Sequence, residues 1–76
     1  MSRYTALLEP APEGGFTVHI PILPGCVSEG DTFEEAVRNI RDAVEGYLAV
    51  LKEDGDPIPI EHGEPVLTQI IAPDPV

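Results

Sequence analysis

Residues 21–37, PILPGCVSEGDTFEEAV, decide the fold, because they combine a tight turn, a short strand and the start of a helix. Pro24-Gly25 suits a type II turn, since proline presets φ at about −65° and glycine accepts the positive φ required next. A short third strand is predicted over residues 26–29. Gly30-Asp31 then interrupts the strand just before a helix begins.

The helix is predicted over residues 33–54. Thr32, with Glu35 three residues later, forms a capping-box pattern at its start. Gly55 fits the position that ends a helix, and Pro57 prevents its continuation. Apolar residues recur at helical spacing and form a stripe over five turns, which predicts an amphipathic helix lying on a sheet: Phe33, Ala36, Val37, Ile40, Ala43, Val44, Tyr47, Leu48 and Leu51.

Alternating residues predict further strands on both sides of this block. Residues 3–9 and 16–20 alternate as two half-buried antiparallel strands, joined by the turn formers of residues 10–15. Residues 66–71 are apolar and partly β-branched, which predicts a fourth strand. Since the helix must return to the same sheet, we expect this strand to run parallel to the third through a right-handed crossover.

The predicted fold class is therefore α/β (α+β), in the order β-β-β-α-β, with a four-stranded mixed sheet and one long helix on one face. Residues 1–71 form a single domain, and residues 72–76 are expected to be a disordered tail. One helix covers only one face of a sheet, so the other face is free for a partner or a second copy. The residues predicted on this oligomer face are Thr5, Leu7, Thr17, His19 and Val27.

Composition narrows the class of function. Fourteen Asp and Glu residues stand against four Lys and Arg, a net charge of −10. Nucleic-acid binding requires a basic face, so we expect none by this chain, and a basic protein partner is favoured instead. No apolar run is long enough for a membrane span, and no secretory leader is visible. Together with the single cysteine, these features predict a soluble cytoplasmic protein. A chain of 76 residues buries a modest core, which favours homo-oligomers.

Catalytic alternatives are weak in this sequence. Two-metal nuclease chemistry needs converging carboxylates, for which Glu9 and the helical acids Glu34, Glu35 and Asp42 are the candidates, but the fourth strand has none. Cys26 with His19 or His62 could form a nucleophile and base, yet no third, orienting residue is evident. We therefore predict no enzyme activity, no cofactor and no metal site.

In its order of motifs the chain resembles the HicB family of antitoxin-type domains from toxin–antitoxin pairs. The matching features cover nearly the whole chain: Tyr4 and Ala6, residues 13–16, the turn at 21–25, Cys26, the helix start at 30–32 with Glu35 and Ala36, Ala43, and Ile58-Pro59.

The resemblance implies a partial ribonuclease H-like fold without nuclease activity, which binds a small basic RNA-cleaving toxin of the HicA type and blocks it by occlusion. Many such antitoxins carry a second, DNA-binding domain after the fourth strand, and this sequence shows none. The acidic residues Glu9, Glu13 and Glu29 are the predicted contacts with the basic toxin. The alternative function is a stand-alone homo-oligomeric structural or regulatory domain without a toxin partner.

Overall fold

The computed structural model describes residues 2–75, and it contains one sheet and one helix. The strands are β1 (Leu7–Pro10), β2 (Phe16–His19) and β3 (Val27–Gly30), in the sheet order β1-β2-β3 with both pairs antiparallel. The helix α1 spans Phe33–Asp54. The predicted α+β class, with its two hairpin connections followed by one long helix, is confirmed.

The predicted turn between β2 and β3 is confirmed. Gly25 has φ +82°, and the Cys26 N–H donates to the Leu23 carbonyl at 3.0 Å, so that Pro24-Gly25 occupies the two central positions. The Leu23 N–H in turn donates to the Ile20 carbonyl at 2.9 Å. These bonds fold the connection back over the core, where the Leu23 side chain is fully buried.

Both ends of α1 lie where the sequence predicts them. The Glu35 N–H donates to the Thr32 hydroxyl at 3.0 Å, and the Asp31 N–H donates to the Glu35 carboxylate at 3.3 Å. At the other end Gly55 is left-handed, with φ +72°, and its N–H donates to the Lys52 carbonyl. Local hydrogen bonds therefore set both ends of this helix.

The core lies between the sheet and one side of α1. Phe16 and Phe33 extend it with an edge-to-face contact, their ring centroids 6.2 Å apart. Among the described residues no helix covers the opposite face of the sheet, which agrees with the predicted one-sided cover. The buried apolar residues come from β2, from the connection between β2 and β3, and from the first half of α1: Val18, Ile20, Leu23, Cys26, Ala36 and Ile40.

The first strand is shorter than predicted and begins at Leu7 rather than at residue 3. Its register pairs Leu7 with His19, so that extending the ladder would place Pro21 opposite Thr5. Proline has no N–H to donate, and the Thr5 N–H instead donates to the Glu61 carboxylate at 2.8 Å. The ladder therefore ends two residues after Thr5.

The prediction of a fourth strand in this sheet is wrong. Residues 66–71 lie in no strand, and the sheet is antiparallel rather than mixed. After α1 the chain runs extended past the N-terminal residues, where Tyr4 and Thr5 contact it, and it does not return along β3. Residues 72–75 also lie outside any helix or strand, Val76 lies outside the described residues, and disorder of this tail stays a prediction.

Candidate functional site: the open face of the sheet

The side of the sheet away from α1, called the open face below, carries two rows of side chains. The strand registers place Leu7, His19 and Val27 side by side across the three strands. The next row consists of Glu9, Thr17 and Glu29. Adjacent strands are about 4.8 Å apart, so each row forms a continuous band across the sheet.

The first row is mainly apolar and accessible. Leu7 and His19 are half-buried, whereas Val27, on the outer strand, is 64% exposed. A shallow depression of about 600 Å³ lies between β2 and β3 and is lined by both rows. Four of the five residues predicted for the oligomer face thus share one surface, and their role there stays a prediction.

Thr5, the fifth predicted member, is engaged by the chain itself. Its N–H donates to one oxygen of the Glu61 carboxylate, and its hydroxyl donates to the other. The Tyr4 hydroxyl donates to the Pro59 carbonyl at 2.7 Å. These bonds, called the tail clasp below, hold the segment after α1 against the N-terminal residues, so Thr5 is not free to contact a partner.

The second row is acidic at both ends. Glu9 and Glu29 are exposed on the two outer strands, and Glu13 is exposed in the turn between β1 and β2. Within residues 2–75 the ion pair is that of Arg3 with Glu64, at the tail clasp. None of the three predicted partner-binding carboxylates therefore forms an ion pair within residues 2–75, and their charge is available to a cationic partner.

The predicted catalytic alternatives are not assembled. Cys26 lies in the core, 3% exposed, where burial raises the pKa of its thiol and keeps it neutral. His19 lies on the open face, on the other side of the sheet. Glu9 is likewise separated from the helical acids, and among residues 2–75 no three His, Cys, Asp or Glu side chains gather where they could hold a metal ion.

Sequence reasoning missed the tail clasp, because its partners are 55 or 56 positions apart and no local motif signals them. The hydrogen bonds from the Thr5 hydroxyl and N–H lower the pKa of Glu61, and the positive charge of Arg3 acts in the same direction. A lowered pKa means that the clasp favours the ionised carboxylate. The Thr5–Glu61 bonds therefore contribute their full stability above the ordinary glutamate pKa, about 4.3, and this contribution is lost as the pH falls through the lowered value.

Replacing Thr5 by valine should move the titration midpoint of Glu61 upward, toward the ordinary glutamate value, because the hydroxyl donor is lost while the shape is kept. The measurement is a carboxyl-carbon NMR titration of the native protein and the variant. Thr68→Val is the control, since Thr68 is exposed and makes no hydrogen bond with Glu61. An unchanged midpoint in Thr5→Val would mean that the clasp is absent in solution.

Residues 4–74 match the sequence model of a protein family that is described as HicB-like antitoxin of bacterial toxin–antitoxin system. Among curated proteins, a UPF0150 protein of Synechocystis sp. is 48% identical over 59 residues, which are 78% of this chain and 75% of the relative. A UPF0150 protein of Thermoplasma acidophilum is 34% identical over 64 residues, 84% of this chain and 93% of the relative.

Antitoxin HicB 1 of Photorhabdus laumondii is 40% identical over 58 residues. The match takes in 76% of this chain but 37% of that antitoxin. The chain is thus similar to small UPF0150 proteins over most of their length and to one part of a longer antitoxin. Among residues 2–75, no helix combines the length and apolar composition that a membrane crossing requires.

Proposed function

Since this chain belongs to the HicB-like antitoxin family of bacterial toxin–antitoxin systems, we propose that it binds a small basic ribonuclease toxin of the HicA type and blocks it by occlusion. Residues 1–71 act as one binding domain. The chain supplies a surface and no catalytic group. The encounter takes place in the cytoplasm, where the RNA that such a toxin cleaves is found.

The observation that carries this proposal is the pairing of an apolar row with an acidic row on the open face. Leu7 and Val27 provide apolar area for the centre of an interface. Glu9 and Glu29 flank the same surface at its two edges, and Glu13 extends the acidic rim at the hairpin turn. An apolar centre with a charged rim is the usual anatomy of a protein interface.

Electrostatics supports the same partner. A ribonuclease must present cationic side chains to RNA phosphates, so its substrate-binding surface is basic. This chain carries a net charge of −10, and within the described part of the chain the acids of the open face form no ion pair. The complementary fields would speed the encounter and orient the open face toward the RNA-binding surface of the toxin. Seated there, the antitoxin excludes RNA.

The test is to co-express the chain with the small basic protein encoded by the neighbouring gene, purify the complex, and measure RNA cleavage. We expect cleavage to be abolished at a saturating concentration of the antitoxin. The triple variant Glu9→Gln, Glu13→Gln and Glu29→Gln should reduce the association rate about tenfold or more at low salt, because it removes three charges from the interface.

A matched control removes the same number of charges elsewhere. The control variant is Glu45→Gln with Glu53→Gln and Asp54→Asn, since these three residues are exposed on α1, away from the open face. It should associate at a rate within about threefold of the native value. If this control is slowed as much as the open-face variant, the effect is one of net charge and the open face is not the contact. RNA cleavage that persists at saturation would refute occlusion itself.

A further inference from the structure

Residues 66–71, Val-Leu-Thr-Gln-Ile-Ile, are called the tail segment below, and they are the most exposed apolar stretch of the protein. Val66, Leu67, Ile70 and Ile71 are 89%, 78%, 82% and 100% exposed. Pro65 and Pro73 bracket the segment, and proline commonly bounds strands. An exposed, strand-forming apolar segment without a pairing partner is a template for pairing with another chain.

Within residues 2–75 no strand pairs with the tail segment, because the tail clasp directs it away from the sheet. Glu61 is held by Thr5, and Glu64 is held by Arg3, so the chain runs antiparallel to the N-terminal residues. Both contacts are made by residues that precede β1, which begins at Leu7. The tail segment continues in this direction, and the molecule is correspondingly long, 49 Å against 28 and 23 Å in the other two directions.

In the part of the chain that the structure describes, no strand pairs with the outer edge of β3. The Ile20 N–H donates to the Cys26 carbonyl at 3.0 Å, so these two residues form a hydrogen-bonded pair. Hydrogen-bonded and non-hydrogen-bonded pairs alternate along an antiparallel ladder, so the N–H and C=O groups of Val27 and Glu29 point away from β2. The Asn39 side-chain amide already donates to the Glu29 carbonyl at 2.8 Å. The free part of the edge is therefore at Val27.

An apolar groove lies directly beside Val27, between the start of β3 and the second half of α1. Its volume is about 480 Å³. Val50 is 56% exposed there, and Gly46 has no heavy atom within 4 Å of the position that a Cβ would occupy. A strand laid along Val27 would insert alternate side chains into this groove. The residues that line it include Gly25, Val27, Ala43, Gly46, Tyr47 and Val50.

The tail segment fits this position because each of its two faces carries two apolar residues. In an extended strand, Val66 and Ile70 share one face, whereas Leu67 and Ile71 share the other. A strand with one wet face would alternate apolar and polar residues, so this pattern indicates burial on both sides. Beside β3, one face of the segment would enter the groove on the helix side, and the other would pack next to Val27 on the open face.

The outer edge of β1 is a poorer match. The Ala11 N–H donates to the Gly15 carbonyl, so the neighbouring pair, Pro10 with Phe16, is not hydrogen-bonded and the main chain of Pro10 faces the outer edge. Proline has no N–H to offer to an added strand. Glu61 and Glu64, which precede the tail segment, are already held by the residues just before β1 of their own chain. We propose that the tail segment of one copy pairs with β3 of a second copy, reciprocally, to form a strand-exchanged homodimer with four strands in each sheet.

The two copies carry the same charge of −10, so this dimer should strengthen with added salt, whereas binding of a basic toxin should weaken. Sedimentation equilibrium of the protein alone, at several concentrations and salt levels, measures the dimer directly. Hydrogen exchange of the same samples should show slowed exchange of the tail-segment amides as the dimer forms.

Two full-length variants separate the two halves of the contact. Leu67→Ser with Ile71→Ser weakens the tail segment, and Val50→Lys blocks the groove; all three positions are exposed, so the fold of each copy is preserved. Each variant alone should raise the dimer dissociation constant at least about tenfold. Mixed together they should partly recover dimer, because the tail segment of the Val50→Lys copy still fits the unaltered groove of the other.

Leu7→Thr, on the open face, is the matched control and should leave dimerisation unchanged. A dimer that is lost in Leu7→Thr and kept in the tail-segment variant would overturn the proposal in favour of face-to-face packing. A protein that is monomeric at every concentration and salt level would also overturn it, and so would a dimer in which the tail-segment amides exchange freely. None of these measurements involves a toxin, so their failure leaves the proposed function standing.

Discussion

Gly30→Ala should destabilise the protein by about 3 kcal/mol, at the upper end of the usual cost of overpacking. A Cβ at this position would lie 2.4 Å from the Ala36 nitrogen and 2.8 Å from both the Ala36 Cα and the Glu35 carbonyl carbon. These are backbone atoms in the first turn of α1, so no side-chain rotation can relieve the contact. The end of β3 and the helix would have to separate.

Thermal unfolding followed by circular dichroism is the measurement, and Tm should fall by about 15 °C in a domain of this size. Gly46→Ala makes the same chemical change as a control. Gly46 is exposed in the interior of α1, and no heavy atom lies within 4 Å of the added Cβ. Alanine there should raise stability by about 0.5 to 1 kcal/mol. If both alanines shift Tm in the same direction, close packing of β3 against α1 is not the reason for Gly30.

Leu23→Ala should cost about 3 kcal/mol, within the range of 2 to 5 kcal/mol that is typical of buried leucines. Leu23 has no exposed surface, although it lies in the connection between β2 and β3. Hydrogen bonds from its N–H to Ile20 and from Cys26 to its carbonyl hold the main chain on both sides. The connection therefore cannot collapse into the space that the side chain leaves, and a cavity remains.

Urea unfolding at a low protein concentration, where association is weak, measures this loss. Leu67→Ala is the matched control, because Leu67 is 78% exposed and its truncation should change the free energy of unfolding by less than about 0.5 kcal/mol. Equal losses in the two variants would show that the Leu23 side chain is not part of the core.

The helix was predictable to the residue, from Phe33 to Asp54, because its limits depend on neighbours in the sequence. The Thr32 hydroxyl accepts from an N–H three positions away, and Gly55 takes up the left-handed conformation that glycine favours. The Pro24-Gly25 turn was predictable for the same reason. The exposure of Gly46 was not predictable, since sequence spacing does not distinguish the buried edge of a helix from its exposed edge.

The candidate site was predictable in part. Period-2 alternation places Leu7, Thr17, His19 and Val27 on the face away from the helix, and the registers show that three of them form one row. The same alternation places Thr5 there as well, but it cannot show that Glu61 binds the Thr5 hydroxyl. Residues 66–71 have the composition of a strand, and composition alone does not say which chain supplies the partner edge.

The amino-acid order by itself determined the turn, the helix with its caps, the alternation of the strands and the net charge of −10, because each depends on residues close in sequence or on composition alone. Only the tertiary structure decided the strand registers, the close approach of Gly30 to α1 and the path of the tail. These depend on contacts such as that between Thr5 and Glu61, 56 positions apart. Such contacts arise from the route of the whole chain, and no local pattern encodes that route.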